Sequence, residues 1–193
     1  MDHRSLPRRR GEALNRAIFE AVLALVEEDG YAGLTMERVA ARARTGKASL
    51  YRRWDGVPAL AMDAVRDAMP GPGAIPDRGS LREDALAVLG LAAEQLRGPV
   101  GAALRGVLGE ALRDPDPDRI AALSRGSALA MMRTVAERAA ARGECPASCL
   151  TETRLEAGPA VMRQRFLLGA GGLDAAFLEA IVDEVVVPLL TRP

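Results

Sequence analysis

The residues of this chain best equipped for chemistry lie in one short run, Thr45-Gly46-Lys47-Ala48-Ser49-Leu50-Tyr51-Arg52-Arg53-Trp54. It combines hydroxyls, cationic groups and a small apolar side chain, a set suited to hydrogen bonding rather than to bond breaking. Arg and Lys can reach phosphate oxygens or a guanine edge, Ser can donate or accept, and Ala can meet a thymine methyl. Leu50 and Trp54 stand four apart, so on a helix both can face inward. That leaves Lys47, Ala48, Ser49, Tyr51, Arg52 and Arg53 for the opposite side, the arrangement of a helix that enters the major groove of DNA.

Such a helix needs others to hold it. Upstream, Thr35 is placed to cap a helix by accepting a hydrogen bond from a free backbone N–H, and Met36, Val39, Ala40 and Ala43 recur behind it at helical spacing. Only a short connection follows, which forces a steep crossing between the two helices, as in a helix-turn-helix. Before them, Leu14, Ile18, Val22 and Leu25, widened by Phe19 and Val26, mark one face of a helix from about Glu12 to Asp29, with Gly30 placed to end it. After them, a fourth helix is expected from near Pro58 to about Met69.

Charge is divided along the chain. The formal net charge is zero over 193 residues, yet residues 1–54 hold eleven Lys or Arg against seven Asp or Glu. The first part is therefore basic and the remainder acidic, which fits a polyanion partner for the first part only. Residues 1–10, with Pro7 and Arg8-Arg9-Arg10, read as a flexible basic arm, able to follow phosphates or to remain solvated.

Other classes of function find little support. The one histidine, His3, lies in the arm, so neither a histidine-activated nucleophile nor a zinc site is expected. Cys145 and Cys149 are too few for a disulfide scaffold and read as ordinary semi-buried thiols. The turn Arg44-Thr45-Gly46-Lys47-Ala48-Ser49 differs from a phosphate-binding P-loop, because it lacks the leading Gly, has Ala48 in place of a hydroxyl, and follows no strand. Neither catalysis nor a cofactor is expected. No apolar run approaches the roughly 20 residues that span a bilayer, so the expected partners include no membrane and the expected location is cytoplasmic.

Abundant Ala, Leu and Arg with few aromatics favour helix almost everywhere, and no sheet is expected. The Pro- and Gly-rich segment from Pro70 to Gly79 is the main internal boundary, and Ser80-Leu81-Arg82-Glu83 beyond it matches a capping box. Further helices are expected between Pro99 and Asp114, from Asp118 to Arg142, and through Phe166 and Leu168 with an interruption at Gly158-Pro159. A last helix carries Phe177, Leu178, Ile181, Val182, Val185 and Leu189, with a kink or an end near Pro188. The expected organisation is an arm over 1–10, a three-helix DNA-binding domain over 11–56, a connecting helix over 57–69 and a helical domain over 80–193.

With a helix-turn-helix near the N-terminus and a separate all-helical remainder, the chain resembles the TetR/AcrR family of transcription regulators. The resemblance is carried by Gly30-Tyr31, by Leu34-Thr35-Met36-Glu37-Arg38-Val39-Ala40 and by Thr45 through Trp54, and it covers about residues 10–70. It implies an all-α protein whose C-terminal domain binds a ligand and dimerises, and whose function is sequence-specific binding to a near-palindromic operator on double-stranded DNA. A homodimeric repressor released by a small-molecule effector is implied, the alternative being a non-specific architectural DNA-binding protein. Thr35 and Tyr51 would touch phosphate, Lys47, Ala48 and Ser49 would face base edges, and Thr45, Arg52 and Arg53 would complete the contact surface. The last two helices would pair subunits through Phe177, Leu178, Ile181, Val182, Val185 and Leu189. Met131, Met132, Met162 and Phe166 could line an effector pocket, since Met adapts to varied ligands, or form plain core. Two positions depart from the family. Arg44 stands where Gly is common, so it must avoid positive φ or tolerate strain, and it could itself reach a phosphate. Asp55-Gly56-Val57-Pro58-Ala59 offers none of the phosphate-binding lysine that often follows the reading helix.

Overall fold

The computed structural model describes residues 11–113, 127–169 and 172–192. The arm over 1–10 and the start of the helix expected from Asp118 lie outside the described residues. Ten α-helices are described, and no strand is found among the described residues: α1 (Glu12–Asp29), α2 (Met36–Arg42), α3 (Lys47–Tyr51), α4 (Val57–Ala68), α5 (Leu81–Gln95), α6 (Pro99–Ala111), α7 (Ser127–Ala141), α8 (Glu152–Leu168), α9 (Ala175–Ile181) and α10 (Val187–Thr191). They form two compact units. One joins the helices up to Asp67 with Pro99–Glu110, and the other joins Ala68–Gly98 with the chain from Ala111 onward.

The first unit is organised around α1, whose Ala17, Ile18, Ala21, Val22, Leu25 and Val26 are buried. Gly30 ends the helix at φ 72° and ψ 174°, a conformation open to glycine, and its N–H closes on the Val26 carbonyl at 2.9 Å. The chain then makes a 3₁₀ turn over Tyr31–Gly33 before α2. A less local partner is α6. Its Gly106 lies close against the Tyr31 side chain, so that a Cβ there would fall 2.0 Å from Tyr31 Cγ. One turn on, Glu110 accepts a hydrogen bond from the Tyr31 hydroxyl at 2.8 Å. Burial and this carboxylate push the Tyr31 phenol well above its usual range, so it stays a donor. Gly106→Ala is expected to force helix and ring apart at a cost of about 1–3 kcal/mol, read from urea unfolding. Wild-type stability in that variant would mean that α6 does not bear on the ring.

In the second unit, α5 packs on α7, α7 on α8, and α8 on the C-terminal helices. The Ser80 hydroxyl caps α5 by accepting from the Glu83 N–H at 3.2 Å. Asp84, fully buried, accepts from the Arg78 N–H at 2.6 Å and from Arg142 at 3.0 Å, so its charge is compensated. Beside it, burial alone would raise the pKa of Glu144, but the Leu81 N–H at 2.7 Å and the Arg142 guanidinium hold it below the ordinary value.

Two prolines shape the C-terminal helices. α8 runs without interruption through Pro159, and the neighbouring Gly158 lets it approach the last helical segment, where a Cβ would fall 2.5 Å from Val186 Cγ2. The interruption expected there is absent, and the groove left by the glycine is filled by the valine. Before Pro188 the chain widens into a π-turn over Val182–Val186, closed by the Val187 N–H on the Val182 carbonyl. Proline supplies no N–H and its ring crowds the carbonyl four residues earlier; the wider turn relieves that crowding.

Candidate nucleic-acid interface

The reading helix is shorter than its apolar pattern implied: α3 has only five residues, with Gly46 as its N-cap and Arg52 as its C-cap. A helix this short cannot hold itself together in water. It is fixed from below by Leu50, which is fully buried, and by Trp54, which is 6% exposed. The Trp54 ring meets Phe19 of α1 edge to face at 5.9 Å, and its indole N–H donates to Asp63 of α4 at 2.9 Å. α1 and α4 thus grip the end of α3 from two sides.

The turn that leads into α3 is a Schellman arrangement: the Thr45 N–H bonds the Ala40 carbonyl at 2.9 Å, and the Arg44 N–H bonds the Ala41 carbonyl at 3.2 Å. Its left-handed position is held by Arg44 at φ 53°, the one non-glycine residue at positive φ among the described residues. That conformation costs an L-residue with a full side chain about 1–2 kcal/mol. Arg44→Gly is therefore expected to leave stability unchanged or raise it by up to about 1 kcal/mol, part of the relief being offset by the freedom of glycine in the unfolded chain. Affinity for every DNA duplex should fall in the same variant. Parallel thermal melts and DNA titrations check this, and a variant that loses stability and keeps affinity would contradict it.

On the outer side, Lys47, Ala48, Tyr51, Arg52 and Arg53 are exposed, Tyr51 at 52%, whereas Thr45 and Ser49 are half-buried. Thr35, also exposed, accepts the Arg38 N–H at 3.2 Å and so caps α2. Several cations of this unit are already engaged. Arg38 donates to Asp29 and to the Gly33 carbonyl, Arg42 pairs with Glu28 at 2.7 Å, and Arg53 donates to Asn15. Lys47 Nζ lies 3.0 Å from Glu37 Oε1, with both side chains about half exposed. Hydrogen bonding to Lys47 lowers the Glu37 pKa, so the carboxylate is charged at neutral pH. Among the described residues, the side chains of Arg16, Arg44 and Arg52 make no hydrogen bond or ion pair, which leaves their charge available to a phosphate. Sequence spacing could show which residues face outward, but not that Lys47 meets a carboxylate on the preceding helix.

The other candidate residues lie in the second unit. Met131, Met132, Met162 and Phe166 are all buried where α7 and α8 pack. Of the last-helix residues, Leu178, Ile181 and Val182 turn into the chain's own core, whereas Phe177, Val185 and Leu189 are half-exposed. Next to them, sequence reading missed a cleft of about 210 Å³ lined by Val161, Gln164, Arg165, Leu168 and Phe177, in which the Arg165 guanidinium lies 3.5 Å over the Phe177 ring. It is smaller than typical small-molecule sites. Among the described residues no cluster of His, Cys, Asp and Glu could hold a metal, and no helix is long and apolar enough to cross a membrane.

Residues 18–60 match the model of bacterial regulatory proteins of the tetR family, and residues 75–185 match that of the tetracyclin repressor-like C-terminal domain. The chain is 30% identical to a DNA-binding transcriptional repressor TetR of Mycobacteroides abscessus over 95% of its own length and 97% of that protein's. It is 28% identical to an uncharacterised HTH-type transcriptional regulator of Mycobacterium tuberculosis, over 91% of this chain and 87% of the relative. In three dimensions it is similar to the crystal structure of the TetR family transcription regulator SCO0332, with a TM-score of 0.75, 28% identity, and coverage of 91% of this chain and 97% of the other.

Proposed function

The chain belongs to the TetR family of transcriptional regulators, proteins that bind DNA, and within that family we propose that it is a homodimeric repressor of a near-palindromic operator, released by a small-molecule effector. The observation that carries this reading is the outward face of α3, where Lys47, Ala48 and Tyr51 are presented by a helix locked through Leu50 and Trp54, flanked by the unpaired Arg44 and Arg52. Thr35, Thr45, Tyr51, Arg44 and Arg52 set the register on phosphates; Lys47, Ala48 and Ser49 meet base edges. Arg53, tied to Asn15, positions α3 as much as it touches DNA.

Two subunits pair through α8 to α10, where Val161, Phe177, Val185, Leu189 and the 72%-exposed Leu168 keep apolar surface uncovered. Two-fold pairing sets the reading helices one DNA turn apart, roughly 34–36 Å. The Mycobacteroides abscessus relative is named a repressor, which supports that direction of control. The effector binds the C-terminal unit beside Met131, Met132, Met162 and Phe166, and must favour the released form by about 5.5 kcal/mol for a near-complete switch.

The test is selection from a randomised duplex pool followed by footprinting. Protection of two half-sites one turn apart, with transcription falling as a downstream reporter site fills, is the expected result. Binding without a shared sequence, or protection of a single half-site by a monomer, would overturn it.

A further inference from the structure

Resting on the DNA-reading role proposed above, we infer that Glu37 is a selectivity residue: its ion pair with Lys47 shields the lysine from phosphates while leaving it able to read a base. Lys47 is the chain's one lysine and opens α3, and its Nζ lies 3.0 Å from a carboxylate on the first turn of α2. An ammonium is a compact charge with three donors. On arbitrary DNA the strongest acceptor within its reach is a phosphate, and taking it would release a counterion and bind the head without regard to sequence.

Glu37 changes that balance. The pair is neutral as a whole, so a phosphate must displace the carboxylate, and Glu37 itself repels the phosphate that approaches. A guanine edge offers uncharged O6 and N7 acceptors. Lys47 can keep one N–H on Glu37 and direct another at the base, and the carboxylate then steadies the long side chain instead of competing. The same pair therefore penalises backbone contact and spares base contact. The charge pattern of the unit agrees, since Arg38 and Arg42 are likewise matched by Asp29 and Glu28, whereas Arg44 and Arg52 are left for the backbone.

The experiment compares wild type, Glu37→Gln, Lys47→Ala and the double variant as full-length proteins. Binding is measured on mixed-sequence duplex DNA at several salt concentrations, and on the duplexes that wild type enriches from a randomised pool. Glu37→Gln should bind mixed-sequence DNA on the order of tenfold more tightly per dimer at 50 mM salt, with a salt slope steeper by about one for each subunit. Its ratio of enriched-site to mixed-sequence affinity should fall, and most of the change should vanish in the Lys47→Ala background. Glu37→Ala, a second route to removing the carboxylate, should steepen the slope equally. An unchanged slope on mixed-sequence DNA overturns the inference, and so does an equal gain on both kinds of DNA. If the wild type enriches no sequence, it is the reading of the protein as a site-specific regulator that fails, and the selectivity role falls with it.

Discussion

Trp54→Ala is expected to cost the first unit about 3–5 kcal/mol and to abolish DNA binding. The side chain closes the base of α3 against Phe19 and ties it to Asp63 at 2.9 Å. Nothing local replaces it, because five helical residues make too few backbone bonds to stand alone. A domain's whole stability is about 5–15 kcal/mol, so the loss takes a large share of it. Trp54→Phe separates the two contributions: ring packing largely remains while the hydrogen bond is lost, at about 1 kcal/mol. Circular dichroism during urea unfolding and titration with DNA read both variants. An alanine variant with wild-type melting and binding would show that α3 is held by something other than this ring.

The second large effect concerns subunit pairing. Val185→Glu is expected to give a folded monomer whose affinity for a two-half-site duplex falls at least about a hundredfold, since one head no longer recruits the other. Val182→Glu should behave differently. Val182 is fully buried inside the chain, so a charge there is left without solvent or partner, and unfolding is expected instead of clean dissociation. Sedimentation analysis beside circular dichroism separates the two outcomes. A Val185→Glu variant that remains dimeric would place the subunit contact elsewhere.

These two valines also show where sequence reading stops. Period and type mark Phe177, Leu178, Ile181, Val182, Val185 and Leu189 as one apolar set, but a helix packed on its own chain and one that also awaits a partner have the same pattern. The split appears only in the packed chain, where Leu178, Ile181 and Val182 are buried and Gly158 lets Val186 and Ile181 approach α8. Local features were more legible. The caps at Thr35 and Ser80 follow from a hydroxyl three residues before the N–H it accepts from, and the all-helical class follows from composition. That Arg44 must either avoid positive φ or tolerate strain was legible from its place in the turn; that it takes the left-handed position required the backbone. Contacts across long separations left no local trace. Gly106 and Glu110 meet Tyr31 more than seventy residues away, and no spacing rule associates α6 with the reading helices.

Recognition of particular DNA sequences by the α3 surface can be tested on the genome itself. The most direct measurement mixes the purified full-length chain with fragmented DNA from its own genome at near-physiological salt, recovers the bound fragments and sequences them. A small set of fragments sharing a near-palindrome, lost in the Lys47→Ala variant, is the expected result. An even distribution of bound fragments, sensitive to salt and indifferent to Lys47, would rule out sequence recognition and leave a protein that binds DNA through charge alone.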